Sequence, residues 1–135
     1  MSNFFLKFKT ANCKNGFTLI EILVVLAIIA TLLSIVTPRY FDAISHSKET
    51  TLKHDLIIMR DAIDKFYSDR NRYPESLEEL VQYKYLRAIP EDPVTESTDT
   101  WVIVPPLDVE AKGVLYDIFS GSADTASDGS QYADW

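Results

Sequence analysis

Three carboxylates in this chain stand where their chemistry needs explaining. Glu21 is the only charged residue among the twenty from 17 to 36. An ionisable group costs on the order of 3 kcal/mol at the centre of an apolar helix and less near an interface, and is usually kept for a reason. It can reach the headgroups as an interfacial residue, or it can face a cationic partner, which a carboxylate buried in lipid or in a filament core needs. The other two, Asp124 and Asp128, lie in the closing stretch SGSADTASDGSQYADW, residues 120–135, beside Gly121 and Gly129. Oxygen ligands on a turning backbone are what Ca²⁺ takes, so we expect one ion held by the side chains of Asp124 and Asp128 and the Gly121 carbonyl. Its affinity would fall in the weak extracellular range, about 10⁻⁴ to 10⁻³ M. A rival reading has Tyr132 and Trp135 pin the same loop with no metal.

Little else is chemically suggestive. His46 and His54 are eight residues apart with no carboxylate or cysteine pattern around them, and read as ordinary solvent-facing histidines. There is no Gly-rich phosphate loop, no H-E-x-x-H and no G-x-S-x-G, and the one cysteine, Cys13, precedes the apolar run. No catalytic site is expected. The net charge is −7, and −10 without the lysines at 7, 9 and 14, which argues against a nucleic-acid partner.

The elements that must position these groups begin with the apolar run itself. Twenty residues at helical rise cover about 30 Å, the hydrocarbon thickness of a bilayer. Lys7, Lys9 and Lys14 precede it and an acidic region follows, so the leader is expected in the cytoplasm and the bulk of the chain outside. After the run comes Thr37-Pro38-Arg39, where a secretory signal would carry small residues at its cleavage site. The segment is therefore expected to be retained.

Lys14-Asn15-Gly16 followed by Phe17-Thr18-Leu19-Ile20-Glu21 resembles the type III signal of type IV pilins and type II secretion pseudopilins. The resemblance implies cleavage by a prepilin peptidase between Gly16 and Phe17, N-methylation of Phe17, and a helical filament in which Glu21 neutralises the Phe17 amine of a neighbouring subunit. Asp-Arg-Asn-Arg-Tyr-Pro at 69–74 and Leu86-Arg87-Ala88-Ile89-Pro90-Glu91-Asp92-Pro93 also resemble the pseudopilin pattern. So does Tyr116-Asp117-Ile118-Phe119-Ser120 with the later aspartates and Trp135, like the calcium loop of major pseudopilins. Here Ser-Gly-Ser-Ala-Asp replaces the usual Ser-Leu-Gly-x-Asp, and Asp128 and Asp134 fall at altered spacings.

Beyond Pro38, which favours a kink, Leu52, Leu56, Met59, Ile63 and Phe66 are spaced 4, 3, 4 and 3, the stripe of an amphipathic helix. Lys53, Asp55, Arg60, Asp61, Asp64 and Lys65 fill its other faces. Tyr73-Pro74 closes this helix. Ser76 with Glu79 opens a short one through about Tyr85, with Leu77, Leu80 and Val81 inward. Pro90 and Pro93 pin an extended loop, and residues 95–100 form an exposed one. Residues 101–104 and 114–119 read as strands.

The expected architecture is α+β: a cleaved leader (1–16), a transmembrane helix (17–37) and a periplasmic domain (38–135). In that domain an amphipathic helix (38–71) packs on a short helix, a small antiparallel sheet and a C-terminal loop, as in type IV pilins. The family resemblance implies a homo-oligomeric pseudopilus filament on the bacterial inner membrane. Its partners would be minor pseudopilins, the prepilin peptidase, the secretion platform protein and its ATPase. The alternatives are a type IV pilus subunit, or a membrane-anchored binding domain that assembles into nothing.

Overall fold

The computed structural model describes residues 16–135; Lys7, Lys9, Cys13 and Lys14 of the expected leader lie outside the described residues. In chain order the elements are α1 (Leu19–Arg70), α2 (Leu77–Gln82), β1 (Val102–Val104), β2 (Asp117–Phe119) and a single 3₁₀ turn at Tyr132–Asp134. The chain divides into two compact units between Arg39 and Tyr40, and helical structure is continuous through Pro38.

In the first unit every described residue is exposed, although mean hydropathy reaches 2.9 over an 18-residue window. The helix is long and apolar enough to cross a membrane. Three of its hydroxyls are satisfied locally. The Thr31, Ser34 and Thr37 hydroxyls donate to the carbonyls of Ala27, Ala30 and Leu33 at 2.8, 2.8 and 2.6 Å. A hydroxyl turned back onto its own helix adds no unpaired polar group to an apolar surrounding.

The second unit is built on the apolar stripe of α1. Leu52, Leu56, Met59, Ile63 and Phe66 are all buried, joined by Leu77, Leu80, Leu86, Trp101, Leu115, Ile118 and Tyr132. Fully burying a side chain of this kind stabilises by about 1.5–3 kcal/mol, so the stripe is the main source of cohesion. β1 and β2 pair antiparallel, Val102 opposite Phe119 and Val104 opposite Asp117. A two-stranded ribbon is marginal alone, and Ile118 at its centre is anchored on the helix core.

Two elements are shorter than their sequence patterns suggest. α2 ends at Gln82, not near Tyr85, because Lys84 takes a left-handed conformation (φ 64°) and the Lys84 and Tyr85 amides turn back to Val81 and Leu80 at 3.1 and 2.9 Å. That is a Schellman closure with lysine where glycine is usual. The second strand begins at Asp117, not at 114, since the Val114 and Leu115 amides both donate to the Pro74 carbonyl, at 3.1 and 2.8 Å. Those amides are spent on the helix connection before the ladder starts. The Pro90–Pro93 segment is not simply extended either. It leads into a turn closed by Asp92 N to Ser97 O (3.0 Å) and Glu96 N to Asp92 O (2.7 Å).

Candidate functional site

At the head of α1, Thr18 caps the helix by accepting the Glu21 amide on its hydroxyl at 3.2 Å. Glu21 thus occupies the third helical position, the acidic place of a capping box. Phe17 and Glu21 line one shallow apolar groove with Ile22, Val25 and Leu26. Among the described residues no cation pairs with the Glu21 carboxylate. Gly16 and Phe17 precede the helix, outside any regular element.

The C-terminal stretch is ordered by bonds of its own and by three charged residues of α1. Thr125 bridges Gln131, and Tyr132 packs edge-on against Trp135 with centroids 5.0 Å apart. Glu49, 7% exposed, accepts the Ser127 amide on Oε1 at 2.6 Å, the Ser127 hydroxyl on Oε2 at 2.8 Å and the Tyr132 hydroxyl at 3.2 Å. The Ser127 amide and then its hydroxyl hold the Glu49 carboxyl below the usual glutamate range, against the opposing effect of burial. Lys53 Nζ stands 4.3 Å from the centre of the Trp135 ring. Arg60 donates to Asp117 Oδ1 and the Ile118 carbonyl, both at 2.9 Å, and to the Trp135 carbonyl at 2.6 Å.

Of the residues expected to hold calcium, Asp128 has another occupation. Asp128 Oδ1 accepts both the amide (2.9 Å) and the hydroxyl of Ser130, closing its own turn. Asp124 is exposed and lines an open cleft of about 350 Å³ with Ser45, Lys48, Val94, Thr125 and Tyr132, a lining that includes neither Asp128 nor Gly121. Gly121 answers a packing need: a Cβ there would lie 2.0 Å from the Thr100 carbonyl oxygen. Among the described residues no group of three or more His, Cys, Asp or Glu is placed to hold an ion. His46 and His54 are exposed, as their spacing suggests.

Sequence reasoning missed two side chains. Arg60 reads as a solvent-facing charge but clamps β2 and the end of the loop. Glu49 went unremarked, although it continues the 3-and-4 spacing three residues before Leu52. A carboxylate on an apolar stripe was the signal.

A long helix whose apolar first half is exposed throughout, headed by Gly16-Phe17 and Glu21, together with a small antiparallel ribbon on its second half, is the type IV pilin-like α+β fold. Residues 11–37 match the family model described as the prokaryotic N-terminal methylation motif. The chain is 30% identical over 96 aligned residues to the type II secretion system core protein G of Klebsiella pneumoniae, covering 59% of this chain and 69% of the relative. The Pseudomonas aeruginosa core protein G is 32% identical over 96, covering 59% and 68%. The type IV major pilin protein PilA of Myxococcus xanthus is 35% identical over 65, covering 48% of this chain and 30% of that one. No solved structure matches significantly. This chain belongs to the family of the type II secretion system core protein G.

Proposed function

We propose that this chain is a structural subunit of a helical pseudopilus of a type II secretion system, built from the inner membrane to drive export of folded proteins. It is not an enzyme in this reading. A prepilin peptidase cleaves between Gly16 and Phe17 and Phe17 is methylated; residues 17–37 anchor the subunit, and the second unit faces the periplasm. The observation that supports this most is the coincidence, inside the matched methylation motif, of the Gly16-Phe17 junction, Glu21 and an apolar helical stretch, residues 19–37, none of which is buried. Glu21 and Phe17 flank one groove, so a neighbour's Phe17 amine drawn to the Glu21 carboxylate would register one helix against the next. Minor pseudopilins, the platform protein and the ATPase are the further partners of this reading. A type IV pilus subunit is the second reading. It is less favoured because the core protein G relatives align over two thirds of their length and the Myxococcus pilin over less than a third.

Two measurements test the proposal together. Intact mass of the membrane-extracted protein is expected to give a chain starting at N-methyl-Phe17; a start at Met1 or a cut beyond residue 36 refutes the processing. Glu21→Leu is expected to stay inserted, with the second unit folded, and to form no filaments. Undiminished filaments in that variant would leave the carboxylate without a role in assembly.

A further inference from the structure

We infer that the C-terminal loop, residues 120–135, is held shut by the Glu49 carboxylate of α1, taking the structural place of a bound cation. The inference concerns the folded second unit and holds whether or not the chain assembles. A divalent cation closes a loop by gathering carbonyls and carboxylates. A buried carboxylate closes one by the opposite chemistry, gathering N–H and O–H donors. This loop offers donors. Ser127 gives both its amide and its hydroxyl to Glu49, and Tyr132 gives its phenol, across 78 and 83 residues of sequence. Further along α1, on the side that faces the loop, Lys53 covers the Trp135 ring and Arg60 holds the Trp135 carbonyl. Glu49, Lys53 and Arg60 are four and seven residues apart, a spacing that keeps them near one face of a helix.

The oxygens a cation would need are engaged elsewhere or spread apart. Asp128 closes the Ser130 turn, and Asp124 lines a cleft whose walls include Lys48 and not Asp128. Glu49 is nearly buried and its charge is met by three donors of the loop.

The test uses the full chain in detergent, melted with calcium chloride in millimolar excess and with chelator, alongside limited proteolysis of residues 120–135. The melting temperature is expected to agree within about 1 °C between calcium and chelator, where an ion at ten times its Kd would raise it by several degrees. Glu49→Ala is expected to lower it by about 8–15 °C and to open the loop to protease in both conditions. Ser127→Ala, which removes one donor and leaves the backbone bond, should lower it by about 3–8 °C and serves if Glu49→Ala does not fold. A calcium-dependent rise that Asp124→Ala or Asp128→Ala abolishes would restore those residues as ligands and overturn the inference. So would a loop that stays equally protected in both Glu49→Ala and Ser127→Ala.

Discussion

Asp92 is the residue whose removal should most damage the fold without touching its apolar core. It is fully buried, and its carboxylate takes the Ser120 hydroxyl on Oδ2 and the Val94 amide on Oδ1 at 2.9 Å, with the Thr95 amide at 3.4 Å. It therefore joins the 92–97 turn to the base of the C-terminal loop, 28 residues away. Asp92→Ala leaves the Ser120 hydroxyl, 1% exposed, and the Val94 amide without their acceptor. An orphaned buried donor costs about 1–3 kcal/mol. Thr95 and Val94 are half-buried, so water can recover part of their share. The expected loss is about 3 kcal/mol, or about 12–24 °C in melting temperature for a domain of this size. Asp92→Asn keeps one oxygen for Val94 and can donate to the Ser120 oxygen, so it should cost roughly a third as much. Thermal melting by near-ultraviolet circular dichroism on the full chain in detergent reads both. The double variant with Ser120→Ala isolates the coupling: removing both partners should cost less than the two single losses added together. A loss below about 1 kcal/mol for Asp92→Ala, or strict additivity with Ser120→Ala, would refute the reasoning.

Two further outcomes follow from the same geometry. Glu49 and Glu79 are both held below the usual glutamate range, Glu49 by the Ser127 amide and Glu79 by the Arg72 guanidinium. Their stabilisation is therefore present above the unfolded value near 4.5 and is lost as pH falls through the lower folded values, so the melting temperature should drop on acidification below about pH 5 and drop less steeply in Glu49→Gln; equal slopes would sink this account. Gly121→Ala should cost about 2–4 kcal/mol, because its Cβ would meet the Thr100 carbonyl at 2.0 Å, whereas Gly129→Ala, with open space and φ of 87°, should cost only about 1 kcal/mol; matching losses in melts of the two variants would remove the packing explanation.

What was legible in the sequence was periodic or local. The stripe from Leu52 to Phe66 announces itself because a 3.6-residue period and burial are the same fact seen twice. The Ser76 cap is a property of four adjacent residues, and Ser76 does accept the Glu79 amide, at 3.3 Å. The misses are long-range or competitive. Asp92 finds Ser120 across 28 residues, and no local pattern marks such a pair. The second strand loses its first residues because the Pro74 carbonyl, forty residues upstream, claims two amides that an isolated β pattern would assign to the ladder. Lys84 ends α2 in a conformation that sequence statistics assign to glycine. In the candidate site, Glu49 meets Ser127 of the loop across 78 residues, and no local pattern marks that pair either.

Glu21 and Glu49 both break an apolar pattern, and their surroundings separate their roles. Glu49 is met by three donors from its own chain, which account for its place on the stripe. Glu21 has a place at the helix cap and no ion-pair partner among the described residues. A carboxylate in the first turn gains about 0.3–1 kcal/mol from the helix dipole. That falls short of the cost of keeping the charge in an apolar setting, about 3 kcal/mol at the centre of a membrane helix and less toward its end. The shortfall calls for a cation or for water from outside the chain, and the proposed filament supplies the first as the Phe17 amine of a neighbour. On this reasoning the two glutamates respond oppositely to loss of charge: Glu49→Gln weakens the fold of a single subunit, whereas Glu21→Gln leaves that fold intact and weakens only the association between subunits.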